Sequence, residues 1–399
     1  MKRALALAGV FGVLTAVPAY AAPPGGEQVQ CLTPPKAVDP SVPWPQQQLV
    51  PDQVWPLTYG TGITVAVVDT GVDGSIPQLK GKVLRGVDMT GPAHGPADTD
   101  CYGHGTFVAG IIAATPMPGT GYAGVAPGVQ ILPIRCATTD QPNAPGTLTP
   151  EGMAAGIRAA VDGGARVINI SSSTTEQNPQ LAAAVDYASS HDVVIVASAA
   201  NGAKDGDPVT YPAAYPAVIA VGAVDQAGHH ADFSQTGPFV SLVAPGVAVL
   251  GLGPGGPGQW QGQGTSYSAP FVAGTAALVR AYHPSLTAAQ VKRRLLATAS
   301  RPPVPVPDPA YGWGTVNPVA AVTAVLPEEN GAGKPAVVVP PPARSADAVA
   351  RDELGPVLAA AGMAGALGLT LLSLVLARIY RSGRGRRWRP PRVVRVTDN

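Results

Sequence analysis

The chain has 399 residues, of which 46% are hydrophobic and 13% charged, and its formal net charge is +1. This length can bury a large core and suits one large catalytic domain with appended segments. Eight arginines follow Ala377, so the rest of the chain is mildly acidic and offers no general basic surface. This charge distribution excludes nucleic acid as an expected partner.

The N-terminal residues have the pattern of a secretory signal peptide. Lys2 and Arg3 are basic, residues 4–17 form an apolar run, and small residues suited to cleavage follow. We therefore expect residues 1–21 to be removed from the mature protein. Residues 22–56 are rich in Pro and Gln with little periodicity, which predicts an extended arm.

Export permits disulfide formation, and the chain has three cysteines, Cys31, Cys101 and Cys136. Cys31 and Cys101 could join the arm to the core. That pairing would leave Cys136 as a buried thiol at the end of a strand. The spacing of the cysteines does not choose the pair by itself.

The central part of the chain alternates predicted strands with predicted helices. This alternation predicts an α/β fold with a doubly wound, mostly parallel sheet. Polar residues that follow such strands meet at one edge of the sheet, where functional sites are built. The predicted strands cover residues 63–69, 129–135, 166–170, 193–198 and 218–224, and the predicted helices cover residues 151–161, 181–190, 265–282 and 287–298, with a last short helix ending near residue 326.

Asp69 ends the first of these strands and is followed by Thr70 and Gly71. The tripeptide Asp-Thr-Gly is also typical of aspartic proteases. Those enzymes pair two such carboxylates, and this sequence has no second copy. An aspartic protease is therefore not predicted.

His104 lies between two glycines at the start of a predicted helix, where it could serve in catalysis, as a cap or as a metal ligand. No second histidine stands at metal-ligand spacing, so a zinc site is not predicted. No metal or other cofactor is required by the sequence. The remaining histidines are expected at the surface, and they are His94, His191, His229, His230 and His283.

Ser266 falls in the first turn of the helix predicted over residues 265–282. Unsatisfied backbone N–H groups and the helix dipole favour developing negative charge there, which suits a nucleophile. Asn201 follows the strand predicted over residues 193–198 and would bring an amide to the same edge of the sheet. An Asn before Gly is also common in ordinary turns.

Three motifs together resemble those of the subtilisin-like serine proteases. They are VVDTG at residues 67–71, GHGTFVAG at residues 103–110 and GTSYSAP at residues 264–270. Their order of Asp, His and Ser is that of subtilisin. The resemblance covers about residues 52–325 and implies the subtilisin type of doubly wound sheet.

The resemblance also implies a role for each matching residue. Ser266 would be the nucleophile, His104 the general base and then the general acid, and Asp69 the carboxylate that orients the imidazole. Asn201 and the backbone N–H of Ser266 would bind the oxyanion. Calcium is common in this superfamily, but no acidic loop cluster in the sequence requires it.

Residues 168–173 resemble the family's edge strand, on which an extended peptide binds as an added strand. We therefore expect Ser171, Ser172 and Ser173 to bind substrate. The family usually has Leu-Gly or a similar pair after the first serine, whereas this chain has Ser172 and Ser173. The specificity pockets accordingly stay unassigned.

The C-terminal segments predict a single-pass membrane anchor. Residues 327–355 form a Pro-rich linker. Residues 356–377 are predicted to form a transmembrane helix, because residues 357–377 carry no charge and are long enough to cross a bilayer; the alternative is a buried soluble helix. The basic tail, residues 378–399, would lie in the cytoplasm near anionic lipid headgroups, with the catalytic domain outside the cell membrane.

The whole arrangement resembles the mycosins, the membrane-anchored subtilisin-like proteases of actinobacterial type VII secretion systems. In that family a disulfide ties the N-terminal arm to the loop before the catalytic histidine, which favours Cys31 with Cys101. The resemblance implies a protease domain over residues 57–326 that cleaves exported proteins or peptides, and it makes secretion membrane components and the lipid bilayer the expected partners.

An alternative of a different class is a scaffold that stabilises the secretion complex, with proteolysis secondary. A general degradative subtilisin fits less well, since such an enzyme has no reason to be tethered.

Overall fold

The computed structural model describes residues 31–139, 146–329, 369 and 372–382. The predicted signal peptide lies outside the described residues, as do most of the predicted linker and much of the predicted transmembrane helix. The chain divides into two units, Met1–Ala332 and Gly333–Asn399. In the second unit residues 372–382 are helical, and no helix among the described residues is both long and apolar enough to span a membrane.

In the described part of the first unit, seven strands form a parallel sheet. Their order across the sheet is β2-β3-β1-β4-β5-β6-β7 when they are numbered along the chain, and each pairing is parallel. The α/β prediction with a mostly parallel sheet is confirmed. The strands are β1 (Thr64–Asp69), β2 (Val87–Asp88), β3 (Gln130–Arg135), β4 (Val167–Ile170), β5 (Val194–Ser198), β6 (Ile219–Val224) and β7 (Val240–Pro245).

Helices cover both faces of the sheet, which is why the central strands are continuous apolar runs. Along β1, Val65 and Val67 pack into the core on one face, while Ala66 and Val68 pack into the core on the other. The first core includes α2 and α5, and the second includes α3 and α4. The helices are α1 (Trp44–Leu49), α2 (His104–Ala113), α3 (Pro150–Asp162), α4 (Pro179–Ser190), α5 (Thr265–Tyr282), α6 (Ala288–Ala297) and α7 (Pro318–Thr323).

The helix N-termini differ in how they are capped. Helices α3, α4 and α6 begin with their own polar caps, Thr149, Asn178 and Thr287. Helices α2 and α5 instead follow Gly103 and Gly264, both with positive φ and no side-chain cap of their own. The N-terminal N–H groups of these two helices therefore need hydrogen-bond acceptors from residues outside the helices.

Several elements differ from the expectation. Residues 168–170 do not lie in an edge strand, because β4 lies between β1 and β5 and pairs with both. The arm is not extended throughout, because α1 forms in it with Pro45 in its first turn and Leu49 buried. Also not predicted were β2, β7 and an antiparallel hairpin of β8 (Val249–Leu252) and β9 (Gln259–Gly262). His230 and His283 are half-buried rather than at the surface, and the ring of His283 contacts the carbonyl oxygen of Val322.

Candidate active site

Asp69 and His104 form a buried pair at the carboxyl edge of the sheet. Asp69 is the last residue of β1 and His104 is the first residue of α2. Nδ1 of His104 lies 2.8 Å from Oδ1 and 2.9 Å from Oδ2 of Asp69, and the two residues are only 7% and 5% exposed. This contact fixes the plane of the imidazole and leaves Nε2 as the nitrogen that can accept a proton.

Ser266 lies in the first turn of α5 and is half-buried. The next residue, Tyr267, places its ring 5.5 Å from the ring of His104 and 4.2 Å from that of Phe107. The N-terminus of α5 therefore lies beside the imidazole. The structure brings Ser266 to the same edge as Asp69 and His104.

Ser171, which directly follows β4, is joined to Ser266 by two reciprocal hydrogen bonds. The Ser266 hydroxyl donates to the carbonyl oxygen of Ser171 at 2.9 Å, and the Ser171 hydroxyl donates to the carbonyl oxygen of Ser266 at 2.8 Å. Asn169 in turn donates its amide to the Ser171 hydroxyl at 2.9 Å. The Ser171 side chain is thus buried and holds the backbone of Ser266, whereas Ser172 and Ser173 are half-buried.

Asn201 lies at the N-terminus of α5. Its Oδ1 accepts hydrogen bonds from the backbone N–H of Thr265 at 2.9 Å and from the Thr265 hydroxyl at 3.0 Å. The Thr265 hydroxyl accepts the N–H of Ala200 at 3.1 Å, so the loop and the helix are tied together. Because two donors fix the oxygen of Asn201, its exposed amide can donate towards the cleft.

Asp100 is a residue whose part in the site the sequence analysis missed. It is 7% exposed and accepts four hydrogen bonds, from the Thr70 hydroxyl, the N–H of Gly103, and the N–H and hydroxyl of Thr106. Burial raises the pKa of its carboxyl to about 6, although the bonds from Gly103 and Thr106 act to lower it. The sequence signal that could have identified it is an acidic residue four positions before the histidine, where a helix begins and a cap is needed.

The disulfide joins Cys31 to Cys101 directly before the histidine motif, with the Cα atoms 4.5 Å apart. Cys136 follows β3, takes no part in a disulfide and is half-buried. Its burial raises the pKa of the thiol to about 12, so the thiol is protonated at neutral pH.

A cavity of about 460 Å³ opens beside the disulfide and is lined by Thr70, Asp88, Asp100 and Arg135 among others. Among the described residues, no group of three or more His, Cys, Asp or Glu side chains could hold a metal ion.

Comparisons with known proteins agree with this geometry. Residues 60–314 match the model of the subtilase family. Mycosin-4 of Mycobacterium tuberculosis is 41% identical over 335 residues, which cover 74% of this chain and 72% of the relative. Mycosin-1 of Mycolicibacterium smegmatis is 34% identical over 391 residues, covering 83% of this chain and 84% of the relative.

Solved structures are also similar. The crystal structure of MycP1 from Mycobacterium smegmatis has a TM-score of 0.65 at 34% identity, over 75% of this chain and 89% of that one. The structure of the MycP3 protease from the type VII (ESX-3) secretion system has a TM-score of 0.64 at 35% identity, over 74% and 93%. The chain belongs to the subtilase family and, within it, to the mycosins. Its activity is that of a serine endopeptidase.

Proposed function

We propose that the chain is a membrane-anchored, extracytoplasmic endopeptidase that cleaves exported proteins or peptides in type VII secretion. The observation that carries the catalytic part is the buried contact between His104 and Asp69 next to the first turn of α5, which bears Ser266. In this proposal Ser266 is the nucleophile, His104 the general base and Asp69 the carboxylate that stabilises the imidazolium.

The reaction begins when the Ser266 hydroxyl hydrogen turns from the carbonyl of Ser171 to Nε2 of His104. The oxygen attacks the scissile carbonyl carbon as the proton passes to the imidazole, and a tetrahedral oxyanion forms. The Asn201 amide and the backbone N–H of Ser266 stabilise this negative charge. His104 then gives its proton to the leaving amine, and water hydrolyses the acyl-enzyme by the reverse path.

The substrate would bind as an extended strand beside Ser171, Ser172 and Ser173. Two features support this mode. These residues directly follow β4, beyond the part that pairs with β1 and β5, and Thr174 is already held by two backbone hydrogen bonds to Tyr211, at 2.9 and 2.8 Å. The segment is thereby fixed at both ends, which lowers the entropic cost of pairing with a peptide.

The membrane anchor and the secretion role rest on sequence and similarity. Residues 357–377 carry no charge and precede an arginine-rich tail, which suits a span with the tail in the cytoplasm. One similar structure is that of a protease from a type VII secretion system. We infer that secretion membrane components and exported proteins or peptides are the partners of this chain.

The proposed activity is tested by incubating the full-length protein, purified in detergent, with a peptide library. We expect cleavage products from the wild-type protein and none from Ser266→Ala, with unchanged thermal unfolding of the variant. Equal cleavage by both proteins would rule out Ser266 as the nucleophile.

The role in secretion needs a second comparison, in cells. Secretion by cells that carry Ser266→Ala is compared with secretion by cells that lack the protein. If proteolysis is the function that matters, both fail. Rescue by Ser266→Ala would instead favour the scaffold role, with proteolysis secondary.

A further inference from the structure

Asp100 holds the start of the helix that carries His104. Its Oδ1 accepts the N–H of Gly103 at 2.8 Å and its Oδ2 accepts the N–H of Thr106 at 2.9 Å. These two residues flank His104 and Gly105 in the chain. The carboxylate therefore substitutes for the side-chain cap that α2 lacks, and it fixes the turn from which the imidazole projects.

The other two hydrogen bonds require that Asp100 be an acceptor. The Thr70 hydroxyl accepts the N–H of Gly105 at 3.0 Å, so its own hydrogen is directed to Asp100 at 3.0 Å. The Thr106 hydroxyl likewise accepts the N–H of Asp73 at 2.9 Å and donates to Asp100 at 2.7 Å. Only an ionised carboxylate can accept from all four donors.

Thr70 connects this arrangement to the catalytic pair. Its backbone N–H donates to Oδ1 of Asp69 at 2.8 Å, while its hydroxyl joins Gly105 to Asp100. A change at Asp100 would thus reach both Asp69 and His104. We propose that Asp100 is a positioning residue whose ionised carboxylate, through Thr70 and Thr106, holds the imidazole of His104 against Asp69 in the reactive geometry.

The charged groups around Asp100 come from several elements. Asp69 ends β1, and its nearby charge favours the protonated form of Asp100. Arg135 at the end of β3 lines the same cavity, but its guanidinium bonds to Asp88, to Thr99 and to the backbone of Thr70.

Asp73 also lines the cavity, where its carboxylate binds Ser75 and the N–H of Gly255. His104 itself lies in the turn that Asp100 caps. Among the residues that the structure describes, no cation is hydrogen-bonded to the Asp100 carboxylate. Burial therefore dominates and raises the pKa of this carboxyl to about 6.

This inference rests on the proposed function, because Asp100 acts through His104. The test measures how fast a fluorophosphonate labels the full-length protein between about pH 4.5 and pH 8. We expect the logarithm of the wild-type rate to fall more steeply at the acid end than that of a variant without this carboxylate, since protonation of Asp100 removes acceptor capacity that its four donors need. Return to neutral pH should restore the full rate.

Asp100→Asn replaces two acceptor sites by donors. It should lower the labelling rate at neutral pH by about 10- to 100-fold and make the acid slope shallower than that of the wild type. Asp162→Asn is the matched control, since Asp162 is an exposed carboxylate at the far end of α3. This control should leave both the rate and the slope unchanged.

A second pair of variants covers the case in which Asp100→Asn does not fold. Thr70→Ser keeps the bridging hydroxyl and should label nearly as fast as the wild type, whereas Thr70→Val should lose about 10-fold or more. A neutral-pH labelling rate of Asp100→Asn equal to that of the wild type, or equal rates for the two Thr70 variants, would overturn the proposal. If Ser266→Ala labels as fast as the wild type, the proposed function fails instead, so the two failures are distinguishable.

Discussion

Replacing Cys31 and Cys101 together by serine should lower the free energy of unfolding by up to about 4 kcal/mol. The disulfide links positions 70 residues apart, and the chain-entropy relation for a loop of that length gives this value at 25 °C. The loss arises mainly in the unfolded chain, which gains freedom when the loop is opened.

The native arm has other attachments that should survive the double substitution. The N–H of Leu32 donates to the carbonyl of Cys101 at 3.0 Å, and the N–H of Gln259 donates to the carbonyl of Ala37 at 3.0 Å. Fluorophosphonate labelling at neutral pH should therefore persist. A change confined to stability is the expected result.

The assay is denaturant unfolding of the full-length protein, followed by tryptophan fluorescence with and without reductant. The reduced wild type should match the double variant, and the double variant should not respond to reductant. A loss below about 1 kcal/mol would refute the reasoning, because it would mean that the bond does not restrict the unfolded chain.

Three further substitutions have expected outcomes. Asn201→Ala should lower kcat by about 10²- to 10³-fold with little change in KM, a magnitude set by subtilisin itself, and steady-state kinetics would measure it. Gly105→Ala should lower kcat/KM by about 10²-fold, because the new Cβ would collide with the carbonyl oxygen of Gly71; Gly91→Ala, which meets open space, should not. Thr287→Ala removes the capping box of α6 and should cost about 1 kcal/mol in denaturant unfolding.

The central strands and helices could be predicted from the sequence because their signals are local. The valine run that ends at Asp69 gave β1 to within one residue, and the helix over residues 265–282 agrees at both ends. The hairpin of β8 and β9 was missed because its glycines and prolines indicate turns. The hairpin also contacts the arm, since the N–H of Gln259 donates to the carbonyl oxygen of Ala37, and such a contact between distant segments leaves no local signal.

The candidate site could be predicted only in part, because sequence motifs do not show contacts between distant positions. Motifs identified the side chains with reactive groups, whereas the supporting contacts join distant positions. Thr265 binds Asn201 across 64 residues, and Asp100 binds Thr70 across 30. No local pattern indicates such pairs, since each polar residue also suits an ordinary cap or turn. The hydrogen bond from the Ser171 hydroxyl to the carbonyl oxygen of Ser266 likewise depends on how β4 packs against α5, which the sequence does not show.

The most direct test of the account is to find which side chain a fluorophosphonate modifies. After labelling of the full-length protein at neutral pH, peptide mass spectrometry should find one adduct, on Ser266. His104→Ala should abolish or strongly slow the labelling, because the hydroxyl then has no base to accept its proton. An adduct on another serine, or undiminished labelling of Ser266→Ala, would contradict the account.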